Sequence, residues 1–312
     1  MSILPVKKII ISAETHPVLR EGLASHGYEV EYHPGISYQQ LLEIIKEAEG
    51  LVVTTRLKID KALLNAAENL KWIGRLGSGM ELIDAEYALK KGIRCISTPE
   101  GNSGAVGEHT LGLVLNLLNH ITRSYNQIHN NVWLRNENRG RELAGRTVGV
   151  VGFGNTGSAF AKLLQPFNVT VLACDKYKDG FSKSYIKEAS LEHIARYADI
   201  ISFHLPLTNE TKRMVNDAFF NSLKQSPIII NTCRGGIMDT AALIRALDAN
   251  IISGAGLDVL ENEKLSDLTG QQRLELNSLM ANPNVVITPH IAGYSEEAYR
   301  RMAEVLLRKL EL

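Results

Sequence analysis

At 312 residues, with 45% apolar and 22% charged side chains, the chain has the size and make-up of two ordinary globular domains. Its 34 Lys and Arg are matched by 34 Asp and Glu, so it offers no broad basic field to nucleic acid. The longest apolar helical run, Leu111 to Leu118 between His109 and His120, is too short to cross a bilayer. Neither a nucleic-acid nor a membrane partner is expected.

Three widely spaced cysteines, Cys95, Cys174 and Cys233, suit neither a disulfide framework nor a metal cluster. A reducing cytoplasm and no bound metal are expected, with Cys95 and Cys174 buried as small apolar groups. Met1 to Lys8 leads directly into Ile9-Ile10-Ile11, with no sign of a cleaved leader.

Strand and helix patterns alternate from the start. Lys8–Ser12, Tyr28–Tyr32, Leu51–Thr54, Lys71–Arg75 and Arg94–Ser97 read as strands. Pro17–Ser25, Tyr38–Ala48, Lys61–Ala67 and Ala85–Lys91 read as the helices between them. In the second of these, Leu41, Leu42, Ile44 and Ile45 mark the buried side. Thr98-Pro99-Glu100-Gly101-Asn102 punctuates the chain, and one long helix is expected from about Ala105 to Ile128. A polar, basic loop, Asn130–Glu142, precedes the next strand.

That strand, Arg146 to Val151, runs into Gly152-Phe153-Gly154-Asn155-Thr156-Gly157. A helical pattern from Ser158 to Leu164 follows, then a strand, Thr170–Ala173, and the acid Asp175. Each part has a physical task in holding a dinucleotide. Gly152 permits the tight turn, Gly154 lets the backbone approach a pyrophosphate, and Gly157 lets helix and strand pack closely. The helix N-terminus offers unpaired N–H groups and the positive dipole end. Asp175 stands where an acid binds the ribose diol, and its charge repels a 2′-phosphate, which favours NAD over NADP.

Further strands are expected at Asp199–Phe203, Pro227–Asn231, Ile251–Leu257 and Val285–Thr288, with helices at Asp217–Leu223 and Ala241–Leu247. Ser295–Leu312 reads as an amphipathic helix, Met302, Val305 and Leu306 inward, that packs back on the first domain. The fold class predicted is α/β with two doubly wound parallel-sheet domains. A flavodoxin-like substrate domain takes 1–99 plus 292–312, and a Rossmann NAD-binding domain takes 100–291.

Chemistry collects where strands end, the ligand-binding edge of such sheets. Asn231-Thr232-Cys233-Arg234-Gly235-Gly236, Asp258-Val259-Leu260-Glu261-Asn262-Glu263 and Thr288-Pro289-His290-Ile291-Ala292-Gly293 each follow a strand. If hydride moves between NAD and a carbon bearing oxygen, a base must take the hydroxyl proton. Histidine suits that two-way task, and His290 is the candidate. Glu263 is the candidate to hold its other ring nitrogen, and Arg234 the one to clamp a carboxylate or carbonyl oxygen. Asp258 is placed either to reach the nicotinamide carboxamide or to position His290. His204-Leu205-Pro206 also follows a strand and is expected to shape the cofactor rim through its backbone.

These blocks together resemble the D-isomer-specific 2-hydroxyacid dehydrogenase family over nearly the whole chain. Gly74-Arg75-Leu76-Gly77-Ser78-Gly79, Thr98–Asn102, Gly152–Gly157, Cys233–Gly236, Gly256–Asp258 with Glu263, and Pro289–Gly293 carry the likeness. It is nearest to the branch that acts on phosphoglycerate. The resemblance implies two similar α/β domains with the active site in the cleft between them, and an arginine, glutamate and histidine at Arg234, Glu263 and His290. It implies NAD along Asn155, Thr156, Asp175, Leu205, Pro206, Thr232, Cys233, Asp258 and Gly293. A small 2-hydroxy acid is expected at Ser78 and Gly79, with Arg56 and Arg75 for a phosphate. It also implies a homodimer, with the long 105–128 helix as a dimer element. As a departure from the family, the chain ends at Leu312, and no serine-sensing regulatory domain is expected. Leu82 departs from the family's usual amide, Cys233 from its alanine and Lys264 from its proline. The residues leave open hydroxypyruvate or glyoxylate reduction, D-lactate oxidation, and a nucleotide-sensing scaffold like the C-terminal-binding corepressors.

Overall fold

The computed structural model describes residues 7–312, so the expectation of a leaderless start at 1–6 lies outside the described residues. The chain divides into two units, Met1–Ser103 with Tyr294–Leu312, and Gly104–Gly293, against the expected boundaries at 99/100 and 291/292. The first contains β1 (Lys7–Ile11), α1 (Pro17–Ser25), β2 (Tyr28–Tyr32), α2 (Tyr38–Ile44), β3 (Ala48–Val53), α3 (Lys61–Ala66), β4 (Trp72–Arg75), α4 (Ala85–Lys90) and β5 (Arg94–Ser97). Helix α5 (Pro99–Leu118) starts in this unit and continues into the second. There follow α6 (Ile121–His129), β6 (Thr147–Val151), α7 (Asn155–Leu163), β7 (Thr170–Cys174), β8 (Ile186–Glu188), α8 (Leu191–Tyr197) and β9 (Ile200–Phe203). Then come α9 (Asp217–Ser222), β10 (Ile228–Asn231), α10 (Thr240–Asp248), β11 (Gly254–Leu257), α11 (Gly270–Ala281) and β12 (Val285–Ile287). Helix α12 (Glu296–Lys309) returns to the first unit.

The first sheet has the order β2-β1-β3-β4-β5, the flavodoxin-like arrangement. Its strands are all parallel, and the inner three, β1, β3 and β4, are buried on both faces. Along β1, Ile10 packs into one core with Leu51 and Ile73, while Ile9 and Ile11 pack into the other with Leu19, Met302 and Leu306. Helix α12 approaches closely because Gly74 has no side chain: a Cβ there would lie 2.6 Å from Leu306. The second sheet, also all parallel, has the order β12-β11-β10-β9-β6-β7-β8. Strand order reverses between β6 and β9, the Rossmann switch point, so the glycine turn after β6 stands beside the end of β9.

Several elements depart from the sequence reading. Thr98–Asn102 does not punctuate the chain: Pro99 opens α5, because a first-turn proline has no N–H to lose and its φ suits a helix. The single helix to Ile128 is two, broken at Asn119–His120, where His120 takes φ +54°. Asn116 stabilises the break, since its Oδ1 accepts from the Thr122 N–H at 2.9 Å and its amide donates to Thr122 Oγ1 at 2.7 Å. Helix α2 ends at Ile44, and a short 3-10 turn, Ile45–Glu47, leads into β3. Strand β11 starts at Gly254 rather than Ile251, because the Ile251 and Ile252 N–H groups cap α10 by donating to Ala246 O. Cys95 and Cys174 are only half-buried, and burial raises both thiol pKa values. Strand β8 and helices α8 and α11 had no counterpart in the sequence reading.

Candidate active site

The glycine turn fits a dinucleotide on three observations. Gly152 has φ +95°, and a Cβ on it would lie 2.4 Å from the carbonyl oxygen of His204, so His204-Leu205-Pro206 closes one side of the turn. A Cβ on Gly157 would lie 2.0 Å from Gly152 O, which only glycine avoids. A Cβ on Gly154 would meet nothing within 4 Å, and Gly154 caps α7 without a side-chain hydrogen bond. The first turn of α7, Asn155 and Thr156 included, thus opens on space a phosphate can fill.

Asp175 follows β7. Its Oδ2 accepts from the Phe153 N–H at 2.8 Å and its Oδ1 from the Tyr177 N–H at 2.9 Å, which fixes the carboxylate beside the glycine turn. The nearby cations are occupied: Lys176 pairs with Glu210 at 2.5 Å and Lys178 donates to Phe153 O at 3.3 Å. His204 is buried against Phe160 with Nε2 on Ser202 Oγ, and burial pushes its pKa down to about 3. It is therefore a neutral part of the core.

Arg234, Glu263 and His290 all belong to the second unit and follow β10, β11 and β12 respectively. Asn231 shapes the first turn by donating to Arg234 O at 3.0 Å and accepting from the Cys233 N–H at 3.1 Å. Cys233 is buried, with its thiol on the same Asn231 oxygen, and burial raises its pKa. A Cβ on Gly235 would collide with the Leu260 carbonyl, so the Arg234 turn lies directly on the loop that carries Glu263. That loop is held by Glu261, which accepts from Arg213 at 2.9 Å and from the Thr240 N–H at 3.0 Å.

His290 Nδ1 lies 2.8 Å from Glu263 Oε2. A carboxylate only accepts, so Nδ1 carries the proton and the neutral ring presents Nε2 as a base. The hydrogen bond to Glu263 raises the His290 pKa above the ordinary 6.5, against burial and the opposing charge of Arg234. Arginine, carboxylate and imidazole thus act on one another within a single unit.

Asp258 is 1% exposed and lies behind His290. Its Oδ1 accepts from Thr288 Oγ1 at 2.6 Å and the Ile291 N–H at 2.9 Å, and its Oδ2 from the Ala292 N–H at 2.8 Å. The backbone N–H of His290 donates to the Asp258 carbonyl at 2.8 Å. Of the two roles expected for Asp258, these contacts serve the positioning of His290. They matter because His290 has φ +56°, a left-handed conformation that costs a non-glycine residue about 1 kcal/mol or more. Gly293 follows as the last residue of the unit.

Two contacts of this site escaped the sequence reading. Thr232 Oγ1 lies 3.0 Å from Thr110 Oγ1, and Thr288 Oγ1 lies 3.0 Å from His109 Nε2. Both partners sit on α5, with no local signal to mark them. In the first unit, Arg56 follows β3 and donates to Ser12 O at 2.6 Å, while Arg75 ends β4, buried, with its guanidinium on Leu76 O. Ser78 is exposed and Gly79 half-buried, on a loop fixed by Thr98, whose Oγ1 accepts from the Gly77 N–H at 2.9 Å. No group of three or more His, Cys, Asp or Glu among the described residues is arranged to hold a metal ion.

Residues 111–292 match the model of the D-isomer specific 2-hydroxyacid dehydrogenase NAD-binding domain. The chain is 32% identical to human D-3-phosphoglycerate dehydrogenase over 97% of its own length and 56% of that protein's. It therefore spans little more than half of the curated phosphoglycerate dehydrogenases it matches. To the hydroxypyruvate reductase of Thermotoga maritima it is 35% identical, over 87% of this chain and 86% of the other. The D-lactate dehydrogenase of Aquifex aeolicus, solved with NAD and lactic acid, is 29% identical and superposes with a TM-score of 0.84, covering 98% and 94% of the two chains. With the family model matched over residues 111–292 and relatives at 32% and 35% identity along most of its length, the chain belongs to the D-isomer-specific 2-hydroxyacid dehydrogenases.

Proposed function

We propose that the protein oxidises a D-2-hydroxy acid to the 2-oxo acid with NAD, and that its substrate is 3-phosphoglycerate, converted to 3-phosphohydroxypyruvate at the entry to serine synthesis. The observation that carries the reading is the 2.8 Å contact between His290 Nδ1 and Glu263. It leaves Nε2 of the neutral ring as the proton acceptor.

NAD, held by Gly152–Gly157 and Asp175, supplies the hydride acceptor when bound. The rest of the chemistry belongs to the chain. His290 takes the hydroxyl proton as the C2–H bond breaks, and Glu263 stabilises the imidazolium that results. Arg234 holds the substrate carboxylate and the 2-oxygen, whose negative character grows as the proton leaves. Asp258 keeps the His290 turn in place. Arg56 and Arg75, with Ser78 and Gly79, recognise the remainder of the acid, and a phosphate is the group that two arginines suit.

The enzyme is further proposed to act as a homodimer. Helix α6 exposes Ile121, Tyr125 and Ile128 along one face, and Trp133 beyond it is 81% exposed. Such aromatic and aliphatic residues are the usual centre of a protein interface.

A second reading keeps the chemistry and changes the substrate to hydroxypyruvate, in the direction of reduction. The near full-length likeness to the Thermotoga maritima reductase favours it. One assay separates the two: NADH formation or consumption across 3-phosphoglycerate, D-glycerate, D-lactate, hydroxypyruvate and glyoxylate. Preference for 3-phosphoglycerate by at least about tenfold in kcat/KM supports the first reading, and preference for hydroxypyruvate the second. Turnover of none of them contradicts both.

A further inference from the structure

Nothing in the proposed reaction assigns a task to His109, on α5. It is distant in sequence from the strand-end loops, yet its Nε2 lies 3.0 Å from Thr288 Oγ1 and 3.5 Å from Asp258 Oδ1. Asp258 offers only acceptors, and Thr288 donates its one hydroxyl proton to Asp258 Oδ1 at 2.6 Å. Thr288 can then only accept from His109, so His109 carries its proton on Nε2. The result is a directed chain from the imidazole N–H through the threonine hydroxyl to the carboxylate, in which each bond polarises the next.

We propose that His109 is a positioning residue for the dehydrogenase reaction, acting through Thr288 and Asp258 on the left-handed turn at His290. The inference rests on the functional reading above, in which His290 is the base. Three features make His109 fit for this task. First, α5 is itself anchored: Thr110 Oγ1 donates to Val106 O at 2.6 Å, so Thr232 donates to Thr110 across 3.0 Å. Adjacent residues of one helix thus meet both the loop that carries Arg234 and the loop that carries His290. Second, the His290 turn is unfavourable for a side-chain-bearing residue, so it persists only while Asp258 holds the N–H groups of Ile291 and Ala292. Third, Asp258 is fully buried, and each donor it loses leaves a carboxylate lone pair unsatisfied. The charged groups around His290 are Glu263, Arg234 and Asp258, and His109 bears on it through Thr288 and Asp258.

The test uses His109→Leu, which keeps the volume and removes the donor, His109→Gln, which restores an N–H donor, and Thr288→Val. Activity is measured on the acid that the wild-type protein turns over, and NADH affinity by fluorescence titration. His109→Leu should lower kcat about tenfold with NADH affinity unchanged, and His109→Gln should recover most of that loss. His109→Leu combined with Thr288→Val should cost little more than either alone, because both cut one chain. Hydrogen exchange at 290–292 is a readout that does not depend on turnover. The amides of Ile291 and Ala292 should exchange about tenfold faster in His109→Leu and Thr288→Val than in the wild type or His109→Gln. Equal behaviour of the Leu and Gln variants, additive losses in the double variant, or unchanged exchange would overturn the proposal. Should the wild type oxidise none of the acids, the functional reading fails, and the exchange rates alone decide whether His109 holds the turn.

Discussion

The two sheets end in different kinds of polar surface. In the seven-stranded unit, Asn231, Thr232 and Asp258 are buried at the strand ends, and each is hydrogen-bonded to a loop or helix beside it. In the five-stranded unit, Arg75 and Thr98 are also buried at strand ends, but Arg56 is exposed and meets a main-chain carbonyl, that of Ser12, and Ser78 lies in solvent. A buried network fixes a reacting group to within fractions of an ångström, as proton transfer demands. An exposed cation adapts to the ligand it meets. The proposed function gives chemistry to the first surface and recognition to the second, and on that proposal substitutions should divide between kcat and KM accordingly.

The largest break in that division should come from Arg234→Ala. Loss of the guanidinium should lower kcat/KM by about 10³ or more while NADH still binds, read by steady-state kinetics beside fluorescence titration. Glu263→Gln comes next. The Glu263 carboxylate raises the His290 pKa, and oxidation needs the neutral ring, so kcat/KM for oxidation should rise with pH through a midpoint above 6.5. In Glu263→Gln that midpoint should move down, with a loss of about ten- to a hundredfold at the plateau; reduction should show the mirror-image profile. An unmoved midpoint would detach Glu263 from the base.

Arg56→Gln sharpens the comparison from the other side. It should raise KM for 3-phosphoglycerate roughly tenfold and leave kcat, and KM for glyoxylate, nearly unchanged. Equal effects on both acids would remove the phosphate from the reading. The smallest effect on the chemistry is expected from Tyr125→Glu with Trp133→Ala. Sedimentation should show a shift from dimer to monomer, with the per-site affinity for NADH retained.

Much of this was legible in the sequence because its signals are local. The glycine turn, the acid after the next strand and the three polar groups after β10, β11 and β12 are each continuous stretches whose order implies their place. The elements missed lack such a stretch. Strand β8 has three residues and only Ile186 half-buried, and α11 buries just Leu276 and Leu279 while Leu274 and Met280 face solvent. The break at His120 depends on the Asn116 side chain rather than on a proline or glycine. The His109 contact joins positions 179 residues apart, and no spacing rule reaches that far. Arg75 was legible as a cation at a strand end, but its burial against Leu76 depends on packing.

The central claim is that His290 is the proton acceptor, and His290→Gln tests it most directly. Glutamine keeps a polar side chain at this position but cannot act as a base near neutral pH. The expected result is NADH affinity within about twofold of wild type and kcat lower by about 10² or more at every pH, with the ionisation near the raised histidine pKa gone from the profile. A variant that retains the wild-type rate and the same pH dependence would contradict the account.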